Sequence, residues 1–335
     1  MRHLSKLMLI ILFSDKLYSQ GCCSGGAGSP IAGGVSQGVL KNKQIEIGAN
    51  YQYRGSNKFF VEDRDTVKLF DKLSSNFFYL KVAYGLTKEL TISIESGYYL
   101  DKTMIGLNRI DTVKSSGISD LIIFPRYNVY NIKKERYRTE ATIGIGVKIP
   151  LGMHDDSTVV YINPLTGKKY YTTSPPTVQP TNGSNDFIFY GFLYREYPYK
   201  NFRIFTNLMY IKKGWNSLGQ KFGDYASVGL FASKSITKKL GVTLQFKGEW
   251  VDMMQYDKNV DMLALYNIDV KSTGSRSIFV VPQISFTHEN FTFFGLSEIP
   301  LYQYFNGTQV GSQNHALIGI SFRFNNKACD TDEKK

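Results

Sequence analysis

The chain has 335 residues, a net charge of +12, 42% hydrophobic residues and 46 Tyr and Phe against 10 Pro. That hydrophobic content excludes a disordered chain. Beyond the first 20 residues no run approaches the ~18 consecutive apolar residues of a transmembrane helix. Three cysteines are too few for a disulfide scaffold and lack the roughly four convergent ligands of a zinc site.

The N-terminus reads as a targeting segment. Arg2 and Lys6 precede the apolar run Leu7 to Phe13, and Ser19-Gln20 follow. This predicts a secretory signal peptide over residues 1–19. The apolar run is too short to cross ~30 Å of hydrocarbon as an anchor helix. Lipidation of Cys22 is the alternative processing. Residues 20–42 form a Gly-rich leader that begins Gly21-Cys-Cys-Ser-Gly-Gly-Ala-Gly. It is not a phosphate loop, because no suitably placed Lys and no helix follow.

From Gln44 onward the period is two. Ile45, Ile47, Ala49, Tyr51 and Tyr53 face one way, and Gln44, Glu46, Gly48, Asn50 and Gln52 the other. Such alternation marks a strand with one apolar face. It recurs at Leu90-Thr-Ile-Ser-Ile-Glu95, over 141–149, over 240–250 and over 316–324. Twelve strands are predicted at 43–54, 74–85, 90–100, 118–130, 138–152, 186–196, 202–211, 225–234, 240–251, 277–286, 291–301 and 314–324. Most match the ~9–11 residues a tilted strand needs to cross a bilayer.

The connections decide the architecture. They run 19, 4, 17, 7, 33, 5, 13, 5, 25, 4 and 12 residues, long alternating with short. A soluble sandwich has no reason to sort its loops this way. A transmembrane barrel does, with short periplasmic turns and long extracellular loops. The prediction is an all-β chain: a twelve-stranded antiparallel transmembrane β-barrel over 43–324, with a C-terminal tail at 325–335. An even strand number puts both termini in the periplasm. Closure also removes the unpaired edges that lipid cannot satisfy. The leader is then either a flexible periplasmic segment or a narrow plug in the barrel mouth. Pro125 and Pro282 sit inside predicted strands, where bulges or bends are expected.

Most strand charges share the parity of the polar face: Glu46, Lys81, Glu95, Arg126, Lys148, Arg203, Lys247, Glu249 and Arg323. They are expected to face the lumen, either as a salt-bridged filler or as an ion path. Hairpin register would set Lys81 opposite Glu95. Arg323 and Glu46 fall near one end of the two closing strands. No basic stripe with interleaved aromatics is present, so no nucleic-acid partner is expected. The expected partners are outer-membrane lipid, a small-molecule cargo and, during insertion, barrel-assembly machinery. Aromatics near strand ends, such as Tyr51, Tyr127, Trp250 and Phe324, would form interfacial belts.

Little in the chain points to catalysis. His154-Asp155-Asp156-Ser157 offers a base, carboxylates and a hydroxyl, but neighbours on a loop rarely converge. Asp63 and Asp65 are a carboxylate pair with no His nearby in sequence. No catalytic residue, metal ligand or cofactor is assigned. Cys329 is expected to bridge to Cys22 or Cys23 in the oxidising periplasm. The alternatives are lipidation, a vicinal pair or free thiols.

Two segments carry a resemblance. They are Gly117-Ile-Ser-Asp120-Leu-Ile-Ile-Phe-Pro-Arg-Tyr127 and Gly144-Ile-Gly146-Val-Lys148-Ile-Pro150-Leu-Gly152. Together they resemble the outer-membrane family named for the MetA pathway of phenol degradation. Ser119 and Pro125 depart from that family's pattern. The leader ending in Ser19-Gln20 resembles those of Bacteroidetes-type outer-membrane proteins. The resemblance implies an outer-membrane channel or transporter for small, apolar or aromatic molecules. The sequence therefore predicts passive passage, with loop 153–185 as constriction and Ser174 accessible from outside. The rival expectation is a closed structural or adhesive barrel whose loops bind an external partner.

Overall fold

The computed structural model describes residues 38–109, 112–259, 269–313 and 315–324. Twelve long strands build the wall: β1 (Ile45–Ser56), β2 (Lys72–Gly85), β3 (Leu90–Ile105), β4 (Asp120–Lys133), β5 (Arg138–Pro150), β6 (Asp186–Tyr197), β7 (Phe202–Lys212), β8 (Tyr225–Ser235), β9 (Leu240–Val251), β10 (Ser275–His288), β11 (Phe291–Val310) and β12 (His315–Phe324). Each pairs antiparallel with its chain neighbour. β12 returns to β1 from Ile45↔Phe324 to Arg54↔His315, which closes the barrel.

The burial pattern is inverted relative to a soluble protein. Ile143 and Ile145 are exposed on the outer wall at 51% and 59%, while Thr142 and Lys148 on the inner face are at 1% and 4%. An apolar exterior around a polar interior is the arrangement a bilayer demands. Among the described residues no helix is long and apolar enough to cross a membrane, and strands span instead.

Two of the short turns share a local chemistry. Leu86-Thr-Lys-Glu-Leu90 and Ile236-Thr-Lys-Lys-Leu240 use the same device. Thr87 Oγ1 accepts from the Glu89 and Leu90 amides, and Thr237 Oγ1 from those of Lys239 and Leu240. The hydroxyl fixes a tight turn by satisfying amides that the ladder has released.

Two expectations about the strands need correction. Neither Pro125 nor Pro282 sits in a bulge. The ladder skips Phe124 and Pro125 opposite β5, and Val281 and Pro282 opposite β11, with unchanged register on either side. A missing N–H removes a bond to one neighbour only. The bulges fall elsewhere, between Asn128 and Tyr130 and between Ile278 and Phe279. Strand β11 also runs well past 301, to Val310. It extends because it pairs beyond the wall with the short strand Phe59–Glu62. Phe59, Phe305 and Val310 are all buried there.

Candidate functional site

The interior has two unlike walls. On β4, β6, β7 and β8 it is aromatic. The Phe124 ring meets Tyr190 edge-on at 5.5 Å. Tyr190 stacks on Phe192 at 6.4 Å and Phe192 on Tyr194 at 6.1 Å. Phe192 reaches Phe205 at 5.9 Å, and Phe205 stacks on Phe231 at 4.4 Å. Residues two apart on one strand share a face, so Tyr190, Phe192 and Tyr194 form a column along β6. Glycines on β5 make room for it. A Cβ at Gly146 would lie 2.7 Å from the Phe124 ring, and one at Gly144 2.9 Å.

The remaining wall carries most of the charge, and Arg126, Glu196 and Arg203 bring some onto the aromatic strands. Glu46 on β1 takes Arg323 of β12 at 2.6 Å and Lys81 of β2 at 3.2 Å, joining the strands that close the barrel. Lys81 does stand opposite Glu95 in the ladder. Its ammonium nevertheless turns to Glu46, and Glu95 accepts from Tyr79 and Ser93 instead. Lys247 lies between Glu249 at 2.9 Å and Glu298 at 2.6 Å, and Glu298 meets His315 at 3.0 Å. Arg203 contacts Glu196 at 3.7 Å and donates to Ser235 Oγ. The Arg126 guanidinium lies over the Phe124 ring at 5.7 Å.

Lys148 belongs to a buried cluster toward the long-loop end. It reaches Asp120 at 2.7 Å and Asp186 at 2.9 Å, and Asp186 also takes Lys213 at 3.0 Å. Ser184 Oγ and the Gly214 amide donate to Asp186 as well. Burial, with Lys148 nearby, holds the Lys213 ammonium below the ordinary lysine value. Asp120, Asp186, Lys213, Glu298 and His315 were not among the expected lumen charges. Asp120 and His315 have the polar parity but open their strands, Lys213 lies in a connection, and the alternation around Asp186 and Glu298 does not fix a facing.

The long connection between β5 and β6 covers the mouth. Its first part is a hairpin, Ser157–Ile162 with Lys169–Thr173. The chain then runs inward. Val178 is fully buried in a cluster with Phe59, Leu73 and Val310, against Met104 and Val113. The Val178 carbonyl accepts from Ser115 Oγ, and Lys102 Nζ donates to the Gln179 carbonyl at 2.6 Å. Gln179 Nε2 ties the segment to the Asp156 and Ser174 carbonyls. Leu73 lies on β2 and Val310 on β11, so the segment reaches strands across the barrel from its own roots on β5 and β6. Ser174, expected to be accessible, is only 2% exposed because this inward run begins there.

At the other end, the residues before β1 turn into the barrel. The Leu40 amide donates to buried Thr91 Oγ1 at 2.7 Å. A Cβ on Gly38 would lie 3.2 Å from Thr142 Oγ1, 3.3 Å from Glu140 Oε2 and 3.8 Å from the Phe192 ring. Cys22, Cys23 and Cys329, and with them the disulfide expectation, lie outside the described residues.

His154 meets Ser217 Oγ at 2.8 Å, a contact between distant loops. No described carboxylate completes it, and among the described residues no three His, Cys, Asp or Glu converge as a metal site.

No protein-family model matches the chain, and no curated protein is similar to it in sequence. Solved structures are similar in fold. The COG4313 outer membrane channel from Pseudomonas putida F1 matches with a TM-score of 0.64 at 11% identity, over 87% of this chain and 99% of that one. The NanC porin matches at 0.41 and 11% over 83% and 98%, and a Pseudomonas aeruginosa FadL homologue at 0.42 and 7% over 93% and 99%. Closed strand pairing, an inverted interior and the first of these likenesses define the class: a twelve-stranded β-barrel of the outer-membrane type.

Proposed function

We propose that the protein is a bacterial outer-membrane channel for passive passage of small apolar or aromatic molecules. Its short turns and both termini would be periplasmic and its long loops extracellular. The observation that carries this reading is the aromatic column on β6, continued onto β4, β7 and β8, inside an otherwise charged and hydrogen-bonded interior. Phe124, Tyr190, Phe192, Tyr194 and Phe231 are only 2–7% exposed, so an uncharged aromatic molecule would meet these rings only as the interior opens, each ring pair then worth ~0.5–1.5 kcal/mol. The family resemblance read from 117–127 and 144–152 and the likeness to an outer-membrane channel agree with it. The segment 174–185 would act as the constriction at the entrance.

A second reading rests on the same interior. The lumen charges are paired, a loop covers one mouth, and residues 38–40 enter the other. These features also suit a closed structural or adhesive barrel. Uptake of a radiolabelled aromatic solute by cells with and without the protein separates the two. The channel reading expects uptake to fall at least several-fold in Phe192→Glu with unchanged surface abundance. Uptake independent of the protein would leave the closed barrel.

A further inference from the structure

The outer wall carries a groove of about 790 Å³ across β6 to β11, within the ~300–1,000 Å³ range of small-ligand sites. Two adjacent cross-strand rows build it. One runs Phe189↔Tyr210↔Ala226↔Trp250↔Arg276 and the other from Gly191 through Val228↔Gly248↔Ile278 to Tyr302. Ala226 and Gly248 keep the floor low between the Tyr210, Trp250 and Tyr302 rings. The β10–β11 bulge raises one wall, because Leu301 and Tyr302 both point outward, at 57% and 45% exposure.

The groove is inclined. Phe189 stands eight residues from the short-turn end of β6 at Tyr197, and Arg276 twelve from that end of β10 at His288. For strands tilted by ~40°, the Arg276 end is higher by about 10 Å. Arg276 is exposed, sits one residue inside the long-loop end of β10, and has no hydrogen bond or ion pair among the described residues. Lys212, an outward cation at the same end of β7, is held by Asp224 at 2.5 Å. An apolar channel descending from a guanidinium with no partner among the described residues matches a lipid whose anionic headgroup stays at the interface while an acyl chain runs into the hydrocarbon.

We propose that this groove binds a phosphorylated outer-leaflet glycolipid of the lipid A class, with a phosphate on Arg276 and an acyl chain over Ala226 and Gly248. Guanidinium pairs with phosphate bidentately, and glycolipid phosphates lie at the height of Arg276 if the long loops are outside. The proposal rests on that orientation. The test is native mass spectrometry of the full-length protein in micelles, titrated with diphosphoryl lipid A. One lipid per barrel is expected to persist after delipidation. Arg276→Gln and Gly248→Leu should each weaken retention about tenfold while keeping the heat-modifiable gel mobility of a folded barrel. Dephosphorylated lipid A should bind wild type as weakly as lipid A binds Arg276→Gln. Equal retention by wild type and Arg276→Gln would overturn the proposal. So would phosphatidylglycerol that competes as well as lipid A, or barrel dimers cross-linking through a cysteine at Val228. Orientation is read separately, by labelling a cysteine at Leu165 in intact cells, so its failure is distinguishable from failure of the lipid titration.

Discussion

Phe124 shows how tightly single residues are specified inside the barrel. Its ring lies over Gly144 and Gly146, and a Cβ at Gly146 would also come within 3.1 Å of the Ile123 carbonyl. Gly146→Val is therefore expected to displace the ring and to cost ~1–3 kcal/mol, seen as a lower temperature for loss of heat-modifiable mobility. Unchanged thermal behaviour would show that the ring is free to move. On the outer wall, Ile145→Arg should harm insertion, because a midplane Arg costs roughly 2–4 kcal/mol, whereas Ile145→Leu should be neutral. Lys148→Arg is not the harmless counterpart that parity alone suggests. Its ammonium is buried between two carboxylates, and a guanidinium does not fit where a point charge sat. Parity made the inner face legible from the sequence. It could not name partners, because a long side chain chooses among three strands: Lys81 faces Glu95 in register yet pairs with Glu46.

The elements differ in how much of them could be read. The five short turns were legible from their length, and two of them also carry a Thr-Lys signature, at Thr87-Lys88 and Thr237-Lys238. The segment 174–185 was not. Its Ser174-Pro-Pro-Thr-Val-Gln-Pro run reads as loop chemistry, and nothing local says that Val178 packs beneath Phe59 and Val310, each far away in sequence. The long-loop end was underestimated for the same reason. Pairing of β11 with Phe59–Glu62 is set by tertiary contact, and its alternation is broken by the bulge at Leu301. Accessibility follows from this layout. A cysteine at Leu165, 94% exposed on the tip of the hairpin, should react with a membrane-impermeant maleimide in intact cells. A cysteine at Ser174 should stay largely unreactive until Val178→Asp releases the segment. Prompt labelling at both positions would show that the segment does not pack as described.

At the scale of the molecule, the barrel closes through β1 and β12, and Glu46 is the charge that joins β2, β1 and β12 inside. Glu46→Gln would leave two half-buried cations facing each other, at a cost of roughly 3 kcal/mol. Closure should become the weakest step of folding, with a larger unfolded fraction on refolding into micelles. Strand number, pairing and the sorting of loops were all legible, because period and loop length are global properties of a barrel sequence. What blocks or opens the lumen could be read only as alternatives, a leader plug and a constricting loop at 153–185, because it depends on how a loop and the residues before β1 fold inward. The most direct measurement of the central claim is single-channel current in planar bilayers, comparing wild type with protein whose 153–185 loop is replaced by a short Gly-Ser linker. The account predicts a small conductance in wild type that phenol reversibly blocks, and a larger one without the loop. Silence in both correctly folded proteins would contradict it.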